Sequence, residues 1–259
     1  MLVGAFARDI WFWNLNGKDT IRRTEDIDIS MAFPNWDSFR EGSKALQDIG
    51  FTVPDPTCPE KLIDPETHQK LDLIPFGGLS ADGKTIKWYG DQQPWGILGF
   101  EDSYNSAELL SVGDNGETIR VATLPAIVTL KIMSFYERLA ERKKKDGADI
   151  GFILTEYHSI SPNKRRLAHE PDGDIMTQVD GDLLLAGCTL LGRDMARLAG
   201  EVTQSEVISR LEREAGSQSK RPLTQEIRHY TQGDFTKARS LLDHMLKGYQ
   251  SIPPHPANP

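Results

Sequence analysis

Between residues 26 and 30 the side chains alternate, with Ile27 and Ile29 standing between Asp26, Asp28 and Ser30. A period of two is the pattern of a strand with one buried face, and it puts Asp26 and Asp28 on the same side. Ahead of it, apolar Met1-Leu2-Val3 reads as a short strand. That strand runs into Gly4-Ala5-Phe6-Ala7-Arg8, small residues that suit a strand-to-helix turn. Residues 14–19 read as a loop. Pro34-Asn35 opens a helix in which Trp36, Phe39 and Leu46 fall near one face, and Gly50 suits its end. Residues 51–53, 58–62 and 70–76 read as strands, the last two joined by the turn-rich Asp64-Pro65-Glu66-Thr67.

Residues 80–120, rich in Gly, Asp and Asn, read as an irregular extension of the sheet, with a strand over 118–122. Leu124-Pro125 then begins a helix with Pro in its first turn. Val128, Ile132, Phe135, Tyr136 and Leu139 recur at helical spacing and make a core face. Lys131, Arg138, Arg142 and Lys145 are offset by 7, 11 and 14 residues. At about 100° per residue on one continuous helix they share a narrow band. That band is either a solvated cationic face or a basic rail beside a polyphosphate. Asp146 and Asp149 suit the first turn of a following helix, whose apolar stripe is Ile150, Ile153, Leu154 and Tyr157. The polar stretch 159–181, with Pro162 and Pro171, reads as a linker between a domain over 1–158 and a helical region over 182–259. Helices are expected there over 182–199 and 203–215, and one more carrying Phe235, Ala238, Leu242, Met245 and Tyr249. A disordered Pro-rich tail follows.

The order of these elements, strands with flanking helices and then helices alone, is that of an α+β protein. A chain of 259 residues can hold a mixed domain and a smaller helical one. No apolar run approaches the roughly 18 residues of a membrane helix, and the N-terminal stretch lacks the pattern of a signal peptide. Cys58 and Cys188 stand far apart, which argues against a disulfide scaffold and suits a cytoplasmic protein. The net charge of −8 disfavours broad, sequence-independent nucleic-acid binding but leaves room for a local basic patch.

Asp26 and Asp28 repel one another on their shared face unless a cation lies between them, and hard divalent cations take oxygen ligands. An isolated Asp-x-Asp is also an ordinary solvated strand face. Asp72 is the sole acid in the apolar run Leu71-Asp72-Leu73-Ile74-Pro75-Phe76. It is either a third ligand or an acid bonded to loop amides at a strand end.

Four features follow one another: the small-residue turn leading to Ala7-Arg8-Asp9; Arg22-x-Thr24-x-Asp26-Ile27-Asp28; Leu71-Asp72-Leu73-Ile74-Pro75-Phe76-Gly77-Gly78; and Leu130-Lys131 followed by Arg138 and Lys145-Asp146-x-x-Asp149. In this order residues 2–158 resemble the polymerase-β-type nucleotidyltransferase superfamily. They are most similar to bacterial nucleotidyltransferases akin to the AbiEii and MenA-like toxins of toxin–antitoxin systems. The resemblance implies a short mixed sheet with flanking helices, followed by a helical C-terminal region. It implies a Mg²⁺-dependent enzyme that moves a nucleoside monophosphate from an NTP to an acceptor, whether tRNA, a protein or a small molecule, with an antitoxin as a partner protein. Asp26, Asp28 and Asp72 would hold two Mg²⁺ ions and carry the catalysis. Gly4, Ala5, Arg8, Arg22, Thr24, Lys131, Lys145 and Asp146 would contact the nucleotide. The family turn has Gly or Ser where this chain has Ala5, and the family's helix and strand ahead of the turn are absent from this sequence. A catalytically degenerate fold that binds a nucleotide or a protein partner is the alternative.

Overall fold

The alternating stretch becomes strand β2 (Asp26–Phe33) at the centre of a six-stranded mixed sheet. The computed structural model describes residues 1–19, 24, 26–88, 94–137, 140–215 and 221–253. They fall into two units, Met1–Thr123 and Leu124–Pro259.

In the first unit, β1 (Leu2–Val3) runs into helix α1 (Gly4–Asp9), and a π-helical turn over Ile10–Asn14 continues it into the stretch expected to be a loop. After β2 come α2 (Trp36–Asp48), β3 (Lys61–Ile63), β4 (Lys70–Gly77), the small pair β5 (Thr85–Ile86) and β6 (Trp95–Gly96), α3 (Phe100–Asn105), β7 (Glu108–Val112) and β8 (Glu117–Val121). The sheet order is β3-β4-β2-β1-β8-β7. The two-residue β1 lies between β2, antiparallel, and β8, parallel, so its ladder is satisfied on both sides. One face of β2 and β4 meets α2: Ile27, Ile29, Leu71 and Leu73 pack with Phe33, Phe39 and Trp88. Asn35 caps α2, its side chain accepting from Ser38 N at 2.9 Å. The expected strand over 51–53 shrinks to one bridge, Thr52 with Ile63. The irregular stretch contains α3 and the β7–β8 hairpin, whose polar, two-sided residues hide the period-two signal.

Within the second unit the described residues form helices: α4 (Leu124–Glu137), α5 (Ala140–Glu156), α6 (Ser161–Ala168), α7 (Asp174–Gln178), α8 (Leu183–Leu198), α9 (Glu201–Ala215), α10 (Pro222–Ile227) and α11 (Phe235–Gln250). Asp182 and Asp234 cap α8 and α11. The latter two helices cross so closely that a Cβ on Gly192 would meet Met245 O at 2.0 Å, and one on Gly248 would meet Thr189 O at 2.0 Å.

The expected linker 159–181 carries α6 and α7 and belongs to this helical unit. Pro162 stands in the first turn of α6, while Pro171, Gly173 and Gly181 stand in the turns on either side of α7. Asp172, buried among them, binds Arg166 and Arg197, each at 2.7 Å. The two units divide at 123/124, and Ile127, Val128, Ile132, Ile150 and Ile153 of α4 and α5 are buried. The Pro-rich tail from residue 254 lies outside the described residues. No described helix is long and apolar enough to cross a membrane. Cys58 and Cys188 are free thiols.

Candidate functional site

Strands β2 and β4 run parallel, with Asp28 opposite Asp72 and Asp26 opposite Lys70. Adjacent strands lie about 4.8 Å apart and direct neighbours point to the same side. Asp26, Asp28 and Asp72 therefore share the sheet face that Ile27, Ile29, Leu71 and Leu73 leave free. All three acids are partly exposed. The Asp26 side chain is 46% exposed, yet its Oδ1 is shielded from solvent and accepts no hydrogen bond. Thr24 Oγ1 donates to Asp26 O at 3.1 Å, a local turn contact. Ser30, next along the same face, is fully buried and its Oγ has no hydrogen-bond partner.

Gly4 sits beneath this face. Its φ of 68° is a left-handed value that glycine tolerates best. A Cβ there would stand 2.0 Å from Asp28 Oδ2. The small-residue turn thus lets β2's carboxylate come close to the turn backbone. Ala5 and Arg8 are buried along α1. The Arg8 guanidinium pairs with Asp9, Nε lying 2.8 Å from Oδ1. Arg22 lies outside the described residues.

Among the described residues no three His, Cys, Asp or Glu side chains form a group that could hold a metal ion. Asp26, Asp28 and Asp72 are the residues that would hold Mg²⁺. The donor set suits such an ion: oxygen ligands, two of them from in-register neighbours, and an orphaned oxygen on Asp26.

In the second unit, Lys131 of α4 reaches Asp146 Oδ1 at 3.0 Å and Asp149 Oδ2 at 2.6 Å, both on α5. Ser134 Oγ adds a hydrogen bond of 3.0 Å to Asp146 Oδ2. Fifteen residues on one continuous helix would separate Lys131 from Asp146 by about 22 Å. The contact therefore requires α4 and α5 to fold back on each other, and the single basic rail dissolves. Lys145 is exposed on α5. Arg138, and the side chain of Arg142, lie outside the described residues. Asp146 and Asp149 sit well inside α5, so neither caps its first turn. The Lys131 side chain is only 12% exposed. Burial alone lowers its pKa, but the carboxylates of Asp149 and Asp146 outweigh burial and hold it above the ordinary value.

Two participants carried no assigned role in the sequence. Lys70 precedes Asp72 by two residues, as Asp26 precedes Asp28, so it could have been placed on the acidic face from alternation once β4 was paired with β2. Ser134 lies three residues after Lys131, one helical turn on, and that spacing was its only signal. Comparison with protein-family models, with curated proteins and with solved structures returned no match.

Proposed function

We propose that the protein is a Mg²⁺-dependent nucleotidyltransferase that moves a nucleoside monophosphate from an NTP to an acceptor hydroxyl. The observation that supports this reading is the parallel register of β2 and β4. It sets Asp28 beside Asp72 and keeps Asp26 on the same face, above a turn whose Gly4 admits the Asp28 carboxylate. Asp26, Asp28 and Asp72 would hold the metal, which when bound neutralises phosphate charge and aligns the attacking and leaving oxygens. Asp72, at the end of this set, would accept the proton of the acceptor hydroxyl. The turn at Gly4 and Ala5, with Thr24, would line the path of the triphosphate. Within the helical unit Lys145 is exposed, whereas Lys131 and Asp146 already work as a pair. The acceptor would be tRNA, a protein hydroxyl or a small molecule, and a toxin role would bring an antitoxin as partner.

The test is transfer of label from an α-labelled NTP in the presence of Mg²⁺, with total tRNA as the first acceptor. Asp28→Asn keeps the shape of the side chain and removes its charge. It should abolish transfer and leave the melting temperature unchanged. If wild type neither binds NTP with Mg²⁺ nor transfers label, and Asp28→Asn changes nothing measurable, the enzyme reading fails. The non-catalytic interaction module then takes its place.

A further inference from the structure

The register that pairs Asp28 with Asp72 also pairs Asp26 with Lys70. One sheet face thus presents three acids and one base. Lys70 Nζ stands 3.9 Å from Asp26 Oδ1, outside hydrogen-bond reach. That oxygen is shielded from solvent and accepts no hydrogen bond. A shielded carboxylate oxygen without a donor is unfavourable, and a closer cation relieves it. Ser30 Oγ, also shielded and without a hydrogen-bond partner, lies further along the same face. The Lys70 side chain is 54% exposed on a flexible stem, so its ammonium can swing between partners at little steric cost.

We propose that Lys70 is the resident counter-cation of this carboxylate face. Its ammonium screens Asp26 when no divalent ion is bound and competes with that ion for Asp26. Once the ion has taken the carboxylate, the ammonium turns to the anionic phosphates of the nucleotide. This rests on the nucleotidyl-transfer reading and adds to it a residue whose charge acts in opposite directions on the two ligands. A cation next to Asp26 opposes a second cation there, so removing it tightens metal binding. A cation near the phosphates favours them, so removing it weakens nucleotide binding. A lysine that only stiffened the strand would shift both affinities the same way.

The experiment uses the full chain in three forms: wild type, Lys70→Met and Lys70→Arg. Binding of Mn²⁺ alone, a paramagnetic stand-in for Mg²⁺, is followed by electron paramagnetic resonance. Binding of a non-hydrolysable NTP with Mg²⁺ is followed by calorimetry. Lys70→Met should bind Mn²⁺ roughly threefold to tenfold more tightly at low salt and bind the nucleotide more weakly by a similar factor. Lys70→Arg keeps the charge and should stay near wild type for Mn²⁺. Should the methionine variant fail to fold, Lys70→Gln serves the same comparison. Unchanged or weaker Mn²⁺ binding in the neutral variant overturns the proposal, and unchanged nucleotide binding overturns the hand-over to phosphate. If wild type and Asp28→Asn both fail to bind Mn²⁺, the nucleotidyl-transfer reading falls and the role of Lys70 falls with it. If wild type binds and Lys70→Met binds equally well, Lys70 alone is misassigned.

Discussion

Gly4 and Asp28 are fitted to each other: a methyl group on Gly4 would stand 2.0 Å from Asp28 Oδ2. The backbone at Gly4 has a left-handed φ of 68°. Gly4→Ala therefore meets two penalties, one from φ and one from the carboxylate. It should destabilise the protein by about 1–3 kcal/mol, read as a lower midpoint in urea unfolding. Because Asp28 can relieve the clash by rotating, Gly4→Ala should also weaken Mn²⁺ binding. A variant as stable as wild type, with unaltered Mn²⁺ affinity, would refute the close fit.

The Lys131 ion pair makes a prediction of the opposite kind, about charge rather than volume. Lys131→Met removes the ammonium that pairs with Asp146 and Asp149, both buried. Removing one partner of a buried pair costs about 3–5 kcal/mol. Asp149→Asn should cost less, because Asp146 still balances the lysine. The pH dependence follows from the raised folded-state pKa of Lys131. A raised pKa contributes stability that is full below the unfolded value and fades as pH rises through the folded value. Wild type should therefore lose stability in strongly alkaline solution, and Lys131→Met should lose less over the same pH range. Parallel alkaline unfolding curves for the two proteins would contradict this.

Asp172 anchors a second network. It binds Arg166 and Arg197 at 2.7 Å each, and Arg193 approaches it at 3.4 Å. Asp194 accepts from Arg166, Arg197 and the Tyr157 hydroxyl at 2.7 Å each. Burial pushes the Asp172 carboxyl up, but hydrogen bonds from Arg197 and Arg166 outweigh it and hold it below its ordinary value. A depressed carboxylate pKa contributes stability that is present above the unfolded value near 3.9 and is lost as pH falls through the folded value. Asp172→Asn should be destabilised at neutral pH, and its stability should depend less on pH below about 4. Urea unfolding at pH 7 and at pH 3 separates the two effects.

The crossing of α8 and α11 depends on absent side chains. Gly192→Ala would place a methyl 2.0 Å from the backbone oxygen of Met245, an atom that cannot rotate away. The helices must part, and the apolar contacts of buried Met195, Leu241 and Met245 loosen with them. The expected loss is about 1–3 kcal/mol in thermal or urea unfolding. Gly233→Ala, where no atom lies within 4 Å of the added Cβ, tests backbone strain alone at its φ of 84°. If Gly192→Ala costs no more than Gly233→Ala, close packing is not what requires glycine at 192.

The sequence by itself determined what depends on near neighbours along the chain. Alternation at Asp26–Ser30 sets which way the two acids point, because successive strand side chains leave opposite faces. Asn35 and Asp182 start their helices because a side-chain oxygen two or three residues away from a free N–H satisfies it. The division into a mixed sheet followed by helices was also legible, since apolar period changes from two to about 3.6 along the chain.

Tertiary structure decided what depends on residues far apart. Nothing in the spacing of Asp28 and Asp72 dictates that they stand side by side; that follows from β2 and β4 pairing in parallel at one register among several. The same pairing brings Lys70 to Asp26, a relation invisible until the strands are aligned. Lys131, Arg138, Arg142 and Lys145 matched one helix angularly. The chain instead folds α4 back on α5, because doing so buries two apolar faces and brings Lys131 to Asp146 and Asp149. Residues 159–181 looked like a linker because their Pro, Gly and charged residues carry no apolar period. They are held within the helical unit by ion pairs such as Asp172 with Arg166, whose partners are named only by the fold. Local pattern sets the direction of a side chain, and long-range packing sets what it meets.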